Sequence, residues 1–145
     1  MRAHDGIGTA LLALGRAHRT RLAALLAPHG LHPGQDLLLM VLWESPGLSQ
    51  SSLATRLGVE APTVTRMLQR LERGGLIERR RAPHDGRVVV VHPTPRSRLL
   101  ESTVRRAWHD IDERLIGALG EVDAAKLQRL ARASTRALES DAGSD

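Results

Sequence analysis

The 145-residue sequence contains no cysteine, no phenylalanine and no tyrosine. Without cysteine there is no disulfide framework, no thiolate metal site and no cysteine redox switch. Its two tryptophans, Trp43 and Trp108, are too few for a protein that stacks single-stranded bases on aromatic side chains. No apolar run approaches the roughly 20 residues of a membrane-spanning helix, and the N-terminus shows no signal-peptide pattern. These absences favour a cytoplasmic protein that does not act at a membrane.

Catalytic and metal-binding patterns are also missing. Serine, histidine and aspartate occur, but without a nucleophile elbow, a Gly-rich phosphate loop or paired carboxylates. His18, His29 and His32 are near one another in sequence, and His109 stands four residues before Glu113. That spacing could hold a cation, but it lacks the tight ligand pattern of a metal site. We therefore expect no enzyme activity, no cofactor and no bound metal.

The positive charge is concentrated in the middle of the chain. Residues 49–98 contain ten arginines and four acids, a balance of +6, whereas the whole chain carries +5. The remaining residues therefore sum to −1. A basic middle between near-neutral ends is typical of a phosphate-binding module, although a solvated surface can have the same composition.

Apolar residues recur at helical spacing towards both ends of the chain. The spacing predicts helices over 5–27, 35–44, 95–120 and 122–138. Thr94 is the expected N-cap of the third of these, with Pro95 in its first turn. The terminal helices carry apolar stripes without a second core to cover. Such stripes form a dimer interface more often than a membrane-binding surface, so we expect a homodimer.

Two short helices begin the basic middle. In LSQSSLATRLG, Ser49 suits an N-cap and Gly58 a C-terminal stop. In APTVTRMLQRLERGG, Pro62 suits the first turn, and the double glycine ends the helix. Two short helices joined by a brief Gly-containing turn predict a helix-turn-helix.

The second short helix has an apolar stripe on one side and a polar face on the other. Arginine, glutamine and threonine on the polar face can bond guanine, adenine and phosphate oxygens in a major groove. Charged helix faces are usually only solvated, but this one has no acid before Glu72. The apolar stripe consists of Val64, Met67, Leu68 and Leu71. The residues expected to contact DNA from this helix and the start of the preceding one are Ser49, Gln50, Pro62, Thr63, Thr65, Arg66, Gln69, Arg70 and Arg73.

A β-hairpin is predicted next. LIERR at 76–80 and RVVVVH at 87–92 indicate two strands joined by a Pro-His-Asp-Gly turn at 83–86, in which Asp85-Gly86 is a strong hairpin signal. Helices followed by a hairpin predict a winged helix. Arg81, Asp85 and Arg87 complete the expected DNA-binding set, with Arg87 entering a minor groove. Asp85 either accepts from the Arg87 guanidinium and orients it, or only forms the turn.

These features resemble those of the MarR (multiple antibiotic resistance regulator) family of bacterial transcription factors. The resemblance covers 31–100 and rests on LHPGQ, LSQSSLATRLGVEAPTVTRMLQRLERGGLIERR, the Asp85-Gly86-Arg87 wing tip and TPRSR. It implies a mainly α fold with a small β-hairpin wing, forming a single domain over 1–145. The winged helix-turn-helix lobe would cover about 33–98, and dimerisation helices about 5–30 and 95–140.

The resemblance also implies a function. It implies a homodimeric, sequence-specific repressor that binds a palindromic operator in double-stranded DNA. The recognition helix would enter the major groove and the wing the neighbouring minor groove. A small aromatic or anionic effector would release the repressor. Arg16, His18, His32 and Trp43 are candidates for the effector pocket, or else serve in packing and capping.

Three positions depart from the family pattern. His32 stands where a capping threonine is usual, which leaves a capping box with Gln35 half built. Ser97 replaces a glycine and is expected to change little if the local backbone is helical. Gly86 replaces an arginine, so one phosphate contact would be lost. The residues alone leave open a second function, that of an architectural protein that binds DNA without reading its sequence.

Overall fold

The structure, a computed structural model, describes residues 5–140. Most of these residues are helical, and three short strands form one antiparallel sheet. The helices are α1 (Ile7–Leu26), α2 (Gln35–Glu44), α3 (Gln50–Leu57), α4 (Ala61–Arg73), α5 (Pro95–Arg98), α6 (Glu101–Leu119) and α7 (Glu121–Ser140). The strands are β1 (Leu48–Ser49), β2 (Ile77–Ala82) and β3 (Asp85–Pro93), in the order β1-β3-β2. The predicted fold class, mainly α with a hairpin wing, is confirmed.

The chain divides into two compact units between Ala107 and Trp108. The core of the first unit is built from aliphatic side chains and one tryptophan, which come from several of its helices and strands. Its buried apolar residues are Leu22, Leu26, Leu31, Leu38, Leu39, Leu42, Trp43, Leu53, Val64, Leu68, Leu71, Ile77, Val90, Val91, Val104 and Ala107. The single domain over 1–145 stays a prediction.

The predicted helix ends are confirmed where local capping determines them. Ser49 Oγ accepts from the Ser52 N–H (3.2 Å) at the start of α3, and Gly58 ends that helix with a φ of 64°. Thr94 Oγ1 accepts from the Ser97 N–H (3.2 Å) at the start of α5. Each bond satisfies an amide that has no partner within its helix.

The predicted continuous helix over 95–120 is wrong. The chain forms two helices, α5 and α6, separated by Leu99 and Leu100. The N–H groups of Leu99 and Leu100 donate to the carbonyls of Arg96 (3.3 Å) and Ser97 (2.9 Å). These bonds span three residues rather than four, so the backbone tightens there and the helix is interrupted.

The hairpin turn occupies the first half of the predicted Pro-His-Asp-Gly turn. Strand β2 ends at Ala82 and β3 begins at Asp85, so Pro83 and His84 form the turn. Proline favours a turn because its ring fixes φ. Gly86 lies within β3 and does not adopt a positive φ. Strand β1 was not predicted, because two residues are too few to produce an alternating pattern.

Ser97 links α5 to the core through contacts that the sequence did not predict. Trp43 Nε1 donates to Ser97 Oγ (3.2 Å), and Ser97 Oγ donates to the Thr94 carbonyl (2.8 Å). Trp43 is 5% exposed and Ser97 is fully buried. Glycine at position 97 could not accept from the indole, which would leave a buried donor without a partner.

We expect Ser97→Gly to lower the free energy of unfolding by about 1–3 kcal/mol, because the Trp43 N–H would be buried and unsatisfied. Urea denaturation followed by tryptophan fluorescence measures this change. Ser102→Ala, on the exposed side of α6, is the matched control and should stay close to wild type. Equal stability of Ser97→Gly and wild type would show that the indole needs no protein partner.

Apolar side chains remain exposed on the terminal helices. On α1 they are Ile7 (80%), Leu11 (40%), Leu12 (63%) and Leu14 (40%). On α7 they are Val122 (82%), Leu130 (52%) and Leu138 (73%). Within residues 5–140, no helix is both long and apolar enough to cross a bilayer. Each of these faces leaves apolar surface in water.

Candidate nucleic-acid interface

Helix α4 has the two faces that the sequence predicts. Its first turn contains Pro62, and Val64, Leu68 and Leu71 are buried against the rest of the lobe. The opposite face is open to solvent, with three arginines and one glutamine on a rigid helix. Its exposed residues of the expected DNA-binding set are Pro62, Arg66, Gln69, Arg70 and Arg73, while Thr63 and Thr65 are half-buried. The apolar stripe therefore anchors the helix and fixes the direction of the polar face.

A side-chain bond joins α3 to α4 at the start of this face. Gln50 Nε2 donates to Thr65 Oγ1, and the Thr65 hydroxyl donates to the Ala61 carbonyl (3.0 Å). The Thr65 hydroxyl proton is therefore used within the helix. The Gln50 amide keeps its oxygen and its second N–H for another partner, because the contact with Thr65 uses one donor. Thr65 therefore joins the two helices, and Gln50 has more hydrogen-bonding capacity left for another partner.

Glu72, the one acid of α4, is paired with the wing. Glu72 Oε2 lies 2.9 Å from Arg79 Nε on β2. The pair is partly exposed, so its contribution to stability is small. Its consequence is electrostatic, because Arg79 offsets the negative charge that Glu72 would otherwise present beside a phosphate.

The wing carries a bulge at the residues predicted to meet DNA. Ala82 pairs with Asp85, but Arg81 pairs with Val89, so 86–88 have no partners in the β2 register. Bulges of this kind redirect side chains away from the regular ladder. Arg87 lies in the bulge and is exposed.

Two internal hydrogen bonds hold the bulge. Arg81 Nη1 donates to the Gly86 carbonyl, and Asp85 Oδ1 accepts from the Arg87 backbone N–H (3.0 Å). The prediction that Asp85 holds the Arg87 guanidinium is wrong. An aspartate oxygen readily bonds the backbone N–H two residues later, and here that amide has lost its ladder partner.

Comparison with known proteins agrees with this geometry. The model of the MarR family matches residues 31–89. The putative transcriptional regulatory protein for the hcr operon of Thauera aromatica is 32% identical over 120 residues, covering 80% of this chain and 72% of that protein. This chain belongs to the MarR family. A solved structure of the repressor CouR bound to a 23-mer DNA duplex has a TM-score of 0.77 and 31% identity, over 90% of this chain and 93% of CouR.

Another MarR-type relative is longer than this chain. The HTH-type transcriptional regulator TtmR of Methylorubrum extorquens is 42% identical over 99 residues, or 68% of this chain. The match covers 49% of TtmR, so the chain spans about half the length of that relative.

The hydrogen bond from the Arg87 N–H to Asp85 in this MarR-family wing leads to a testable prediction. Asp85→Asn keeps a side-chain oxygen for the Arg87 N–H, whereas Asp85→Ala removes it, and both remove the charge. We therefore expect Asp85→Asn to bind DNA about fivefold more tightly than Asp85→Ala, the equivalent of about 1 kcal/mol for one hydrogen bond. Fluorescence anisotropy with one labelled duplex measures the ratio.

The two variants are each other's control, since their net charge is the same. Equal affinities would contradict a role for the Asp85 oxygen in shaping the bulge. Weaker binding by Asp85→Asn than by wild type, lost in an Arg87→Ala background, would instead support contact with the guanidinium.

The four candidate effector residues have different environments. Arg16 is exposed and His18 half-buried on α1. His32 is exposed, and its backbone N–H donates to Gln35 Oε1 (3.0 Å), which confirms the half-built capping box. Trp43 is a core residue whose indole is bonded to Ser97. The effector contacts of these residues stay predictions, and Trp43 has a packing role independent of them.

The histidines do not converge on a metal site in the part of the chain that the structure describes. Over residues 5–140, no three histidine, aspartate or glutamate side chains lie close enough to share an ion. His109 Nε2 and Glu113 Oε1 are 4.0 Å apart on the exposed side of α6. Two groups supply fewer ligands than a protein metal site uses.

Sequence reasoning missed several contacts of this interface. It did not predict the Gln50–Thr65 bond, the Glu72–Arg79 pair or the bulge in β3. The available signal was weak in each case, because the partners come from different elements or from a change of register. Only the aspartate two residues before Arg87 pointed to a local bond.

Proposed function

We propose that this MarR-family protein is a repressor that binds a palindromic operator in double-stranded DNA as a homodimer and is released by a small effector. The main support is the exposed face of α4. Its polar residues lie on one side of a helix anchored in the core, and they are Arg66, Gln69, Arg70 and Arg73. Arginine and glutamine at such positions form bidentate bonds to guanine and adenine in the major groove.

The wing supports a second contact with the same duplex. Arg87 is exposed in the bulge of β3, and Arg81 is exposed on β2. Narrow A·T-rich minor grooves have an enhanced negative potential that attracts arginine. CouR, which is 31% identical over 90% of this chain, has been solved on a DNA duplex, and this favours duplex DNA as the partner.

The exposed apolar residues of α1 and α7 support the dimer. Ile7, Val122 and Leu138 are each at least 73% exposed, and burial of such side chains against a second copy would remove apolar surface from water. In a twofold dimer, two recognition helices would read half-sites about 10 base pairs apart, centre to centre.

The effector part of the proposal rests on α1 and on the resemblance to the family. Arg16 and His18 are polar groups on a helix with exposed apolar neighbours, a combination that suits an aromatic carboxylate. A panel of aromatic carboxylates, added to the protein–DNA complex, should contain compounds that release the DNA. Arg16→Ala should raise the concentration required.

Selection of bound sequences from randomised duplex DNA tests the operator. We expect an inverted repeat that binds at least about 10³-fold more tightly than random duplex at the same salt concentration. An architectural protein would bind both duplexes with little preference, and that result would contradict the proposal. Protection of a single asymmetric half-site would contradict the homodimeric arrangement.

A further inference from the structure

The outermost part of the wing carries a histidine. Pro83 and His84 form the two-residue connection between Ala82 and Asp85, which are the last paired residues of β2 and β3. Both turn residues are exposed. Because they lie beyond the last pair of the ladder, they project further along the hairpin than the arginines on its strands.

Two of the polar side chains beside His84 already have hydrogen-bond partners. Arg81 donates to the Gly86 carbonyl, and Asp85 accepts from the Arg87 backbone N–H. Within residues 5–140 the His84 imidazole bonds to no other side chain or backbone group. Of the two turn residues, Pro83 has an apolar ring without a donor, so His84 is the polar group that the turn presents.

We propose that His84 contacts the minor groove in its protonated form and makes DNA binding depend on pH. This inference rests on the proposed function, which brings the wing to a duplex. Histidine is the side chain whose ordinary titration falls between pH 5 and 8. A protonated imidazole is attracted by the negative potential of a narrow minor groove.

The direction of the effect follows from the charge. If DNA binds the protonated form more tightly, complex formation takes up a proton, and affinity increases as the pH falls. The charged groups that flank His84 are Arg81 on β2 and Asp85 and Arg87 on β3. Arginine and aspartate do not ordinarily change charge between about pH 6 and pH 8. A pH response that is lost in His84→Gln would therefore come from the histidine and not from these neighbours.

The experiment uses the full chain and a labelled duplex carrying the sequence selected by the protein. Fluorescence anisotropy at constant ionic strength gives the affinity at about pH 6 and pH 8. We expect wild type to bind about tenfold more tightly at the lower pH, since each subunit can take up one proton. His84→Gln retains a hydrogen-bonding side chain without the charge, and its response should be largely lost.

Two further variants complete the design. His84→Arg has a permanent charge and should bind at about pH 8 nearly as tightly as wild type does at pH 6. His109→Gln, an exposed histidine on α6, is the matched control and should retain the wild-type response. Thermal melting should be the same for all variants, because position 84 is exposed in the turn.

The outcomes separate this inference from the proposed function. If His84→Gln kept the full pH response and still bound the selected duplex specifically, the role of His84 would be contradicted but the proposed function would not. A wild-type affinity that does not change between about pH 6 and pH 8 would also contradict the role of His84. Failure of wild type to prefer the selected duplex over random DNA at any pH would contradict the proposed function and, with it, this inference.

Discussion

Replacement of Leu11 and Leu14 by arginine is expected to abolish the proposed dimer and to weaken binding to the proposed operator at least about a hundredfold. Both leucines are 40% exposed on α1, on the same side as Ile7. Two guanidinium groups on that side would have to be desolvated in a dimer interface. In a dimer, binding of the first lobe raises the effective concentration of the second, and a monomer loses this advantage.

Leu37→Arg is the matched control for this double variant. Leu37 is 41% exposed, but it lies on α2 rather than on a terminal helix. Light scattering gives the mass, anisotropy the affinity for the selected duplex, and thermal melting the folded state. A folded double variant that keeps the dimer mass would show that this part of α1 lies outside the interface. A wild-type monomer would contradict the dimer itself.

The parts of the fold that the sequence predicts depend on local signals. Pro62 in a first turn, Ser49 at an N-cap and Gly58 at a helix end act within one turn of helix. Their effects do not require knowledge of distant residues. The apolar stripe of α4 is equally local, because its period follows from helical geometry. These signals were sufficient to define the helix-turn-helix and its exposed face.

The parts that the sequence did not predict depend on distant partners or on register. Trp43 and Ser97 are 54 positions apart, and neither residue type indicates that the other is its partner. Gln50 and Thr65 are 15 positions apart on two helices. In the wing, Asp-Gly and Pro-His both suit a turn. The strand pairing determines which of the two forms the turn: because Ala82 pairs with Asp85, the turn is Pro83-His84.

The position of the turn within 83–86 changes the expected role of Asp85. With Asp85-Gly86 as the turn, Asp85 would have stood across from Arg87 and could have held its guanidinium. With Pro83-His84 as the turn, Asp85 starts a strand and its oxygen serves the backbone. The arginine is then positioned by the bulge, and the histidine occupies the tip.

Arg66→Ala and Gln69→Ala are each expected to reduce the preference for the selected operator over random duplex by about 1–3 kcal/mol, or roughly 5- to 150-fold. Both side chains are exposed on α4, one helical turn apart, so they lie on the same side of the helix. Their planar groups can each form two bonds to a base edge, arginine to guanine and glutamine to adenine. The two bonds of a side chain are lost when the base is wrong or when alanine replaces that side chain.

Arg106→Ala on α6 is the control for loss of charge, because it removes an exposed arginine from a helix that carries none of the residues proposed for DNA binding or for the dimer. Affinities for operator and random duplex, measured over a range of salt concentrations, separate two kinds of contact. A base contact reduces operator binding and leaves random binding nearly unchanged. A phosphate contact weakens both equally and lowers the salt slope by about 1. Equal weakening of both duplexes by Arg66→Ala and by Gln69→Ala would contradict base recognition by this face of α4.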